Sequence, residues 1–144
     1  FIQYLPSHES VSIHVRKGDY LKAPYNAYYA ELNNEYYQKA TAFLKQICPN
    51  LKVYIFTDDP SWVKQNLDLG LPFELASGNA TNSMFEDFQA MRSCKYHVIA
   101  NSSFSWWTAW LSAHPDKKVV VPNNWFKNSQ QDTVDLIPKT WNIL

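Results

Sequence analysis

VSIHVRKGDY, residues 11–20, organises the rest of the chain, because an alternating apolar run stops there at a basic pair, a glycine and an acid. Apolar side chains at positions 11, 13 and 15 predict a strand, and Arg16 follows its carboxyl end. Open α/β sheets bind ligands at that end of their strands. A guanidinium held there, with Gly18 permitting close backbone approach, suits a bidentate grip on a phosphate or carboxylate. A solvated basic turn is the alternative interpretation.

Composition limits the classes of protein to which the chain can belong. Its 144 residues suffice for one domain with a proper core, and 46% hydrophobic with 18% charged residues indicates a globular protein. A formal net charge of zero argues against nucleic acid as the main partner. Any anionic ligand must therefore be met by a local cluster of basic groups.

The cysteines and the chain ends carry weaker information. Cys48 and Cys94 offer no disulfide framework and no zinc spacing, so we expect two reduced, buried thiols. No apolar run approaches the roughly 20 residues needed to span a bilayer, so we expect a soluble piece without a membrane span. The start lacks an initiator Met, which suggests a cut from a longer polypeptide.

Predicted strands and helices alternate along the chain. The strands are expected at residues 11–15, 51–57, 73–75, 96–100 and 118–121. The helices are expected at residues 34–47, 60–67, from a capping box at Ser83 and Glu86 onward, and at 106–113. Strict alternation with short connections predicts an α/β fold, a Rossmann-like parallel sheet with helices on both faces. The tail beyond residue 125 is expected to be loop and edge packing.

Two aromatic sets are interpreted as core. Phe85, Phe88 and Met91 are expected to point from their helix into the interior. Trp106, Trp107 and Trp110 have helical spacing and favour core packing over a platform for sugar stacking. His97 and His114 are interpreted as structural or solvated.

Polar residues follow several of the predicted strands. Arg16, Asp58 and Ser102 each lie just beyond the carboxyl end of a different strand, so they should converge on one rim of the sheet. Ser102, Ser103 and Ser105 also open a helix, where free backbone N–H groups favour an anion. Together these features predict a diphosphate ligand. Plain N-capping is the alternative role of the serines.

Asp58 and Asp59 admit two interpretations. Paired acids can hold a metal ion, but Pro60 follows at once, and proline at a first helical position favours helix capping. Arg16 already supplies positive charge nearby. The sequence therefore predicts no metal site.

Several motifs match a known family in order and spacing. HVRKGDY, residues 14–20, resembles the HxRRGDY motif of the α-1,2-fucosyltransferases of glycosyltransferase family 11. ANSSFSWWTAWL, residues 100–111, is similar to their ANSSFSWWGAWL motif. Tyr36-Tyr37, the IFTDDP run at 55–60, Asp87 and the DLIP run at 135–138 also match. The resemblance covers nearly all of residues 1–144, but only the C-terminal, donor-binding half of such an enzyme; the N-terminal acceptor domain is expected to be absent.

The resemblance implies a function. It implies the nucleotide-sugar half of a GT-B-like fold, GDP-β-L-fucose as donor, no metal or other cofactor, and inverting transfer to a hydroxyl of a galactose-terminated glycan. Arg16 would contact the donor β-phosphate, with Lys17 in place of a second arginine. Asp87 would pair with the guanine edge and His14 would lie beside the base. The run Ser102, Ser103, Phe104 and Ser105 would hold the diphosphate.

The sequence departs from the family motifs at three positions, and it leaves the general base unassigned. Lys17 replaces an arginine, Thr108 a glycine, and Arg92 a small serine. No motif assigns the general base. Asp19 is the candidate, with fixing Arg16 as its alternative role.

Three wider questions also stay open. A donor-binding module without transferase activity, and a fucosyltransferase of another linkage, are alternative functions. The cysteine pattern favours a bacterial source and a cytoplasmic location, which is compatible with peripheral association of the parent protein at the inner face of the membrane. A Golgi lumen location would follow for a eukaryotic source.

Overall fold

A computed structural model describes residues 9–77, 83–128 and 132–144. Its centre is a six-stranded sheet with the order β3-β2-β1-β4-β5-β6. The strands are β1 (Ser10–Val15), β2 (Lys52–Thr57), β3 (Glu74–Leu75), β4 (Tyr96–Val98), β5 (Lys118–Val121) and β6 (Asn142–Ile143). Every neighbouring pair is parallel, which confirms the predicted Rossmann-like α/β class. The sixth strand is built from the tail, which the sequence predicted as loop and edge packing.

In the part of the chain that the structure describes, four α-helices connect the strands. They are α1 (Asn34–Ile47), α2 (Pro60–Asn66), α3 (Met84–Ser93) and α4 (Ser103–Trp110). Asp59 caps α2 by accepting a hydrogen bond from the Trp62 backbone N–H at 2.9 Å, as predicted. The predicted capping box of α3 is also present between Ser83 and Glu86. Helix α4 begins three residues earlier than predicted, directly after Ser102.

The core lies on both faces of the sheet, because alternate residues of each strand point to opposite sides. From β2, Val53 and Ile55 join the cluster that packs against α1 and α2. Phe56, from the same strand, joins a second cluster with Ala90 and Met91 of α3. A third cluster joins β5 to α4 and the tail. Helices therefore cover both faces, as predicted, and both cysteines are free and buried.

The predicted core role of Phe85 is wrong, since its side chain is 68% exposed. Met91 is buried, and at about 100° per residue Phe85 lies about 120° away from it around α3. The predicted core role of Trp107 and Trp110 is likewise wrong, since each is 50% exposed. The small residues of α4 occupy its buried face instead: Ser105, Thr108 and Ala109.

The sheet order fixes where a ligand can bind. From β1 the chain builds outward through β2 to β3, then returns to place β4 on the other side of β1. The order of strands therefore reverses between β1 and β4. In parallel sheets such a reversal opens a crevice at the carboxyl ends of the two central strands. Arg16 and Ser102 border that crevice.

Candidate functional site

A cavity of about 440 Å³ occupies the crevice at the carboxyl ends of β1, β2 and β4. It brings together six residues to which the resemblance assigned a ligand contact: His14, Arg16, Asp87, Ser102, Ser103 and Phe104. Tyr20, Phe56, Thr57, Asp58, Ser77 and Met84 complete the lining. The cavity thus joins residues from five separate segments of the chain.

Arg16 is held in the cavity wall by two carboxylates. Its Nη2 lies 2.8 Å from Asp19 Oδ1 and its Nη1 lies 3.1 Å from Asp58 Oδ2. The guanidinium also lies over the Tyr20 ring, 5.3 Å from its centroid. Asp19 is 45% exposed, so its pairing with Arg16 is weak and an anionic ligand can replace it at low cost. Asp58 is less exposed and is also bonded to the Lys17 backbone N–H at 2.9 Å.

His14 lies on the same face of β1 as Arg16 and is almost fully buried. Burial, and to a lesser degree the nearby Arg16 guanidinium, lowers the pKa of His14 to about 3. The imidazole is therefore neutral at physiological pH. Among the described residues its buried Nδ1 has no hydrogen-bond partner, and the centroid of its ring lies 5.7 Å from that of Phe104. A neutral, flat, partly apolar wall suits a planar heterocycle better than a phosphate.

The start of α4 contributes backbone donors. Ser102 is the N-cap residue, in extended conformation, and its hydroxyl makes no capping hydrogen bond. Plain N-capping therefore does not explain this serine. The first N–H groups of a helix have no partner within it, and the helix dipole favours an anion there. Asn101 anchors this turn by donating from Nδ2 to Ala30 O and to Trp125 O, each at 2.8 Å.

The opposite side of the cavity contains residues that the sequence interpretation missed. Ser77 follows β3, and its hydroxyl accepts a hydrogen bond from the Thr57 backbone N–H at 2.9 Å. The same end-of-strand rule that selected Arg16 would have selected Ser77. Tyr20 was quoted in the motif without a role. Its hydroxyl donates to Asn101 O at 3.1 Å, which joins the Arg16 turn to the start of α4.

Three predicted site residues do not line the cavity. The Lys17 side chain is buried on the other face of β1, where Nζ donates to Leu32 O at 2.6 Å and lies 4.2 Å from the Trp62 ring centroid. Asp19 contacts the cavity only through Arg16. The Ser105 hydroxyl is buried and donates within its own helix turn. A direct ligand contact by the Lys17 or Ser105 side chain therefore has no geometric support.

Gly18 has a different role from the one predicted. A Cβ at this position would lie 2.5 Å from Asp58 Oδ2. The close approach that glycine permits is therefore that of the Asp58 carboxylate, which holds Arg16. A side chain at position 18 would displace the group that positions the guanidinium.

Comparison with known proteins identifies the family to which the chain belongs. The family model described as Glycosyl transferase family 11 matches residues 5–144. The chain belongs to glycosyl transferase family 11. An alpha-1,2-colitosyltransferase from Escherichia coli is 34% identical over a match that covers 92% of this chain and 46% of the relative. The O-antigen biosynthesis glycosyltransferase WbnK, also from Escherichia coli, is 29% identical over a match that covers 88% of this chain and 42% of the relative. A galactoside alpha-(1,2)-fucosyltransferase 1 from Leontopithecus chrysomelas is 22% identical over 71% of this chain and 28% of its own.

The matches also show how much of each relative this chain covers. The chain spans less than half the length of the curated relatives it matches. No solved structure matches it significantly. Within the described residues, no helix is long and apolar enough to cross a membrane. In the same part of the chain no three His, Cys, Asp or Glu side chains are grouped as a metal site requires.

Lys17 of this family 11 domain is expected to act on stability and not on ligand binding. Lys17→Met keeps the apolar stem but removes the donors to Leu32 O and the charge beside Trp62. We expect the free energy of unfolding to fall by about 1–2 kcal/mol, because a buried carbonyl loses its partner. Denaturant unfolding measures that loss, and calorimetric titration should show an unchanged affinity for GDP. Weakened GDP binding at unchanged stability would contradict this role.

Proposed function

We propose that this chain is the donor-binding domain of an inverting glycosyltransferase that uses GDP-β-L-fucose and forms an α-1,2 linkage to a galactose hydroxyl. The observation that carries the proposal is the single cavity in which Arg16 and the start of α4 lie together with Asp87. Family membership supports transfer of a sugar. The identity of the donor, the acceptor and the linkage belongs to the proposal.

Two parts of the cavity suit two parts of a nucleoside diphosphate. The Arg16 guanidinium and the free N–H groups of α4 offer positive potential to a diphosphate. Asp87 and the neutral His14, with Phe104 beside it, offer a carboxylate and flat surfaces to a base. A carboxylate selects guanine, because the N1–H and the N2 amine of guanine are adjacent donors. Adenine presents no such pair on that edge.

The mechanism follows from the leaving group. When the bond between the anomeric carbon and the β-phosphate oxygen breaks, negative charge grows on GDP and positive charge grows on the sugar ring. A guanidinium already oriented by Asp19 and Asp58 stabilises that negative charge without reorganising. The acceptor hydroxyl attacks the opposite face of the anomeric carbon, so the configuration inverts. Its proton passes to a general base.

Asp19 fits the role of a positioning residue better than that of the base. Its carboxylate is within 2.8 Å of Arg16 and is not part of the cavity lining. A general base must reach the proton of the acceptor hydroxyl, and Asp19 does not line the cavity in which the sugar donor would bind. We therefore place the base outside the residues assigned here.

A colitosyl donor is a second candidate. It is favoured by the 34% identity to an alpha-1,2-colitosyltransferase over 92% of this chain. A colitosyl donor that carries the same GDP group would use the same nucleotide site. Binding of GDP alone does not separate them. Competition between the two nucleotide sugars does.

Titration calorimetry with GDP, GDP-fucose and ADP, each in excess EDTA, tests the proposal. We expect both guanine ligands to bind and ADP to bind at least about tenfold more weakly, because adenine offers the Asp87 carboxylate no pair of adjacent donors. We expect EDTA to leave binding unchanged, since Arg16 and α4 supply the positive potential. Equal binding of ADP and GDP, or no binding by a chain shown to be folded by circular dichroism, would overturn the proposal. Loss of binding in EDTA would overturn its metal independence.

A further inference from the structure

A second cavity, of about 420 Å³, adjoins the first and is lined mainly by aromatic rings. Its lining consists of Tyr20, Tyr29, Asn101, Ser103, Trp106, Trp107, Trp125, Phe126, Asp135 and Leu136. Tyr20 and Ser103 line both cavities. The second cavity therefore begins where the Arg16 turn meets the start of α4, which is the diphosphate end of the proposed nucleotide site.

The rings on one side of this cavity form a fixed stack. The Tyr20 and Tyr29 rings are nearly parallel, with centroids 4.3 Å apart and an angle of 9°. Phe126 continues the stack, with its centroid 5.8 Å from that of Tyr29. Tyr29 also forms an antiparallel bridge with Phe126. These rings are held by one another and by the backbone, so this wall is formed before a ligand arrives.

The tryptophans on the other side differ in exposure. Trp106 is fixed, because its indole Nε1–H donates to Leu136 O at 2.8 Å and its ring stacks on Trp110 at 5.3 Å. Trp107 meets Trp106 edge to face and is 50% exposed. A large indole that is half exposed in a cavity wall has apolar surface still to be covered. Among the aromatic side chains that line this cavity, Trp107 is the most exposed.

The same cavity has hydrogen-bonding groups on its rim. The bond from Trp106 to Leu136 O holds the turn that carries Asp135, and the Leu136 N–H donates to Thr133 O at 3.0 Å within that turn. Asp135 is exposed, and Ser103 is exposed at the junction with the first cavity. Aromatic faces next to a carboxylate and a hydroxyl suit a pyranose. Its C–H face packs on an electron-rich ring, and its hydroxyl groups donate to the carboxylate.

We propose that this aromatic cavity holds the pyranose ring of the nucleotide sugar, with Trp107 packing against its apolar face and Asp135 accepting from its hydroxyl groups. The inference rests on the proposed function, because continuity with the diphosphate end is what places the sugar here. A deoxy sugar such as fucose fits this wall well, since its methyl group adds apolar surface. Trp107 and Asp135 are therefore assigned to the transferred sugar and not to the nucleotide.

The test compares GDP with GDP-fucose on the 144-residue chain by titration calorimetry. Trp107→Ala is expected to weaken GDP-fucose binding by roughly three- to tenfold and to leave GDP binding unchanged. Trp110→Phe is the matched control, because Trp110 is in the same helix, is equally exposed and does not line the cavity, and because a phenyl ring at this position keeps an aromatic contact with Trp106. It should change neither affinity. Asp135→Asn is expected to affect GDP-fucose alone, as Trp107→Ala does.

The outcomes separate this inference from the function on which it rests. Failure of the unaltered chain to bind GDP and GDP-fucose would overturn both. Normal GDP binding, with GDP-fucose binding affected equally by Trp107→Ala and Trp110→Phe or by neither, would overturn the sugar subsite alone. Methyl β-galactoside, followed by ligand-observed NMR, provides a further arm. Galactoside binding that is lost in Trp107→Ala while GDP-fucose binding is retained would assign the cavity to the acceptor and overturn the inference.

Discussion

Arg16→Ala is expected to slow sugar transfer by about 10²- to 10³-fold while weakening GDP binding much less. The guanidinium is oriented by Asp19 and Asp58 before any ligand arrives, so its largest effect comes when charge develops on the departing diphosphate. In the ground state the N–H groups of α4 and the base-binding side of the cavity still hold GDP. Transfer is measured with the enzyme that carries this domain, and GDP affinity by calorimetry on the chain itself.

Two variants control for the geometry around Arg16. Arg16→Lys keeps the positive charge but loses the planar guanidinium with its paired N–H donors. The rate of transfer should therefore lie between the rates of Arg16→Ala and of the unaltered enzyme. Asp19→Ala removes an exposed partner, and we expect transfer to fall by no more than about fivefold, with an unchanged pH profile. Equal losses of GDP affinity and of turnover in Arg16→Ala would contradict a role in the transition state. A loss in Asp19→Ala as large as that in Arg16→Ala, with the acidic limb of the pH profile altered, would make Asp19 the general base.

The sheet and its rim could be predicted from the sequence, because period-two alternation and end-of-strand polar residues are local signals. The fate of Lys17 was also encoded locally but was misinterpreted. Positions 11, 13, 15 and 17 share one side of β1, so continued alternation places Lys17 with the apolar face and Arg16 with His14. The structure has this arrangement, with the Lys17 ammonium beside Trp62. A basic pair at a strand end therefore divides between the two faces of the sheet.

The second cavity could not be predicted, because its parts come from distant segments. Tyr20 and Tyr29 follow β1, Trp106 and Trp107 belong to α4, and Asp135 lies in the tail. Helical spacing of tryptophans favours core packing in general, and nothing in the local sequence says that small residues take the buried face of α4. Only the packed fold shows that Trp107 stays half exposed. The residues that surround Trp107 in this cavity are close in space but distant in sequence, so the sequence alone does not reveal the polar and aromatic groups that they bring together.

Asp87→Ala is expected to weaken GDP binding by about 10- to 100-fold, because a charged acceptor for two donors of the base is lost. Selectivity between GDP and a related nucleotide tests this role more specifically than GDP affinity alone. Inosine diphosphate lacks the N2 amine of guanine but keeps N1–H, so the unaltered chain should prefer GDP over inosine diphosphate. That preference should disappear in Asp87→Ala, because no carboxylate remains to detect the missing donor. Calorimetric competition between the two nucleotides measures it.

Glu86→Ala separates recognition of the base from the integrity of α3. Glu86 completes the capping box, accepting from the Ser83 N–H, and its removal loosens the start of the helix without touching the cavity. If Asp87 acts on the base, Glu86→Ala lowers the stability of the domain and keeps the preference for GDP. If both variants lose that preference alike, the order of α3 and not the Asp87 carboxylate governs recognition. In that case the division between a base-binding helix and a phosphate-binding Arg16 fails.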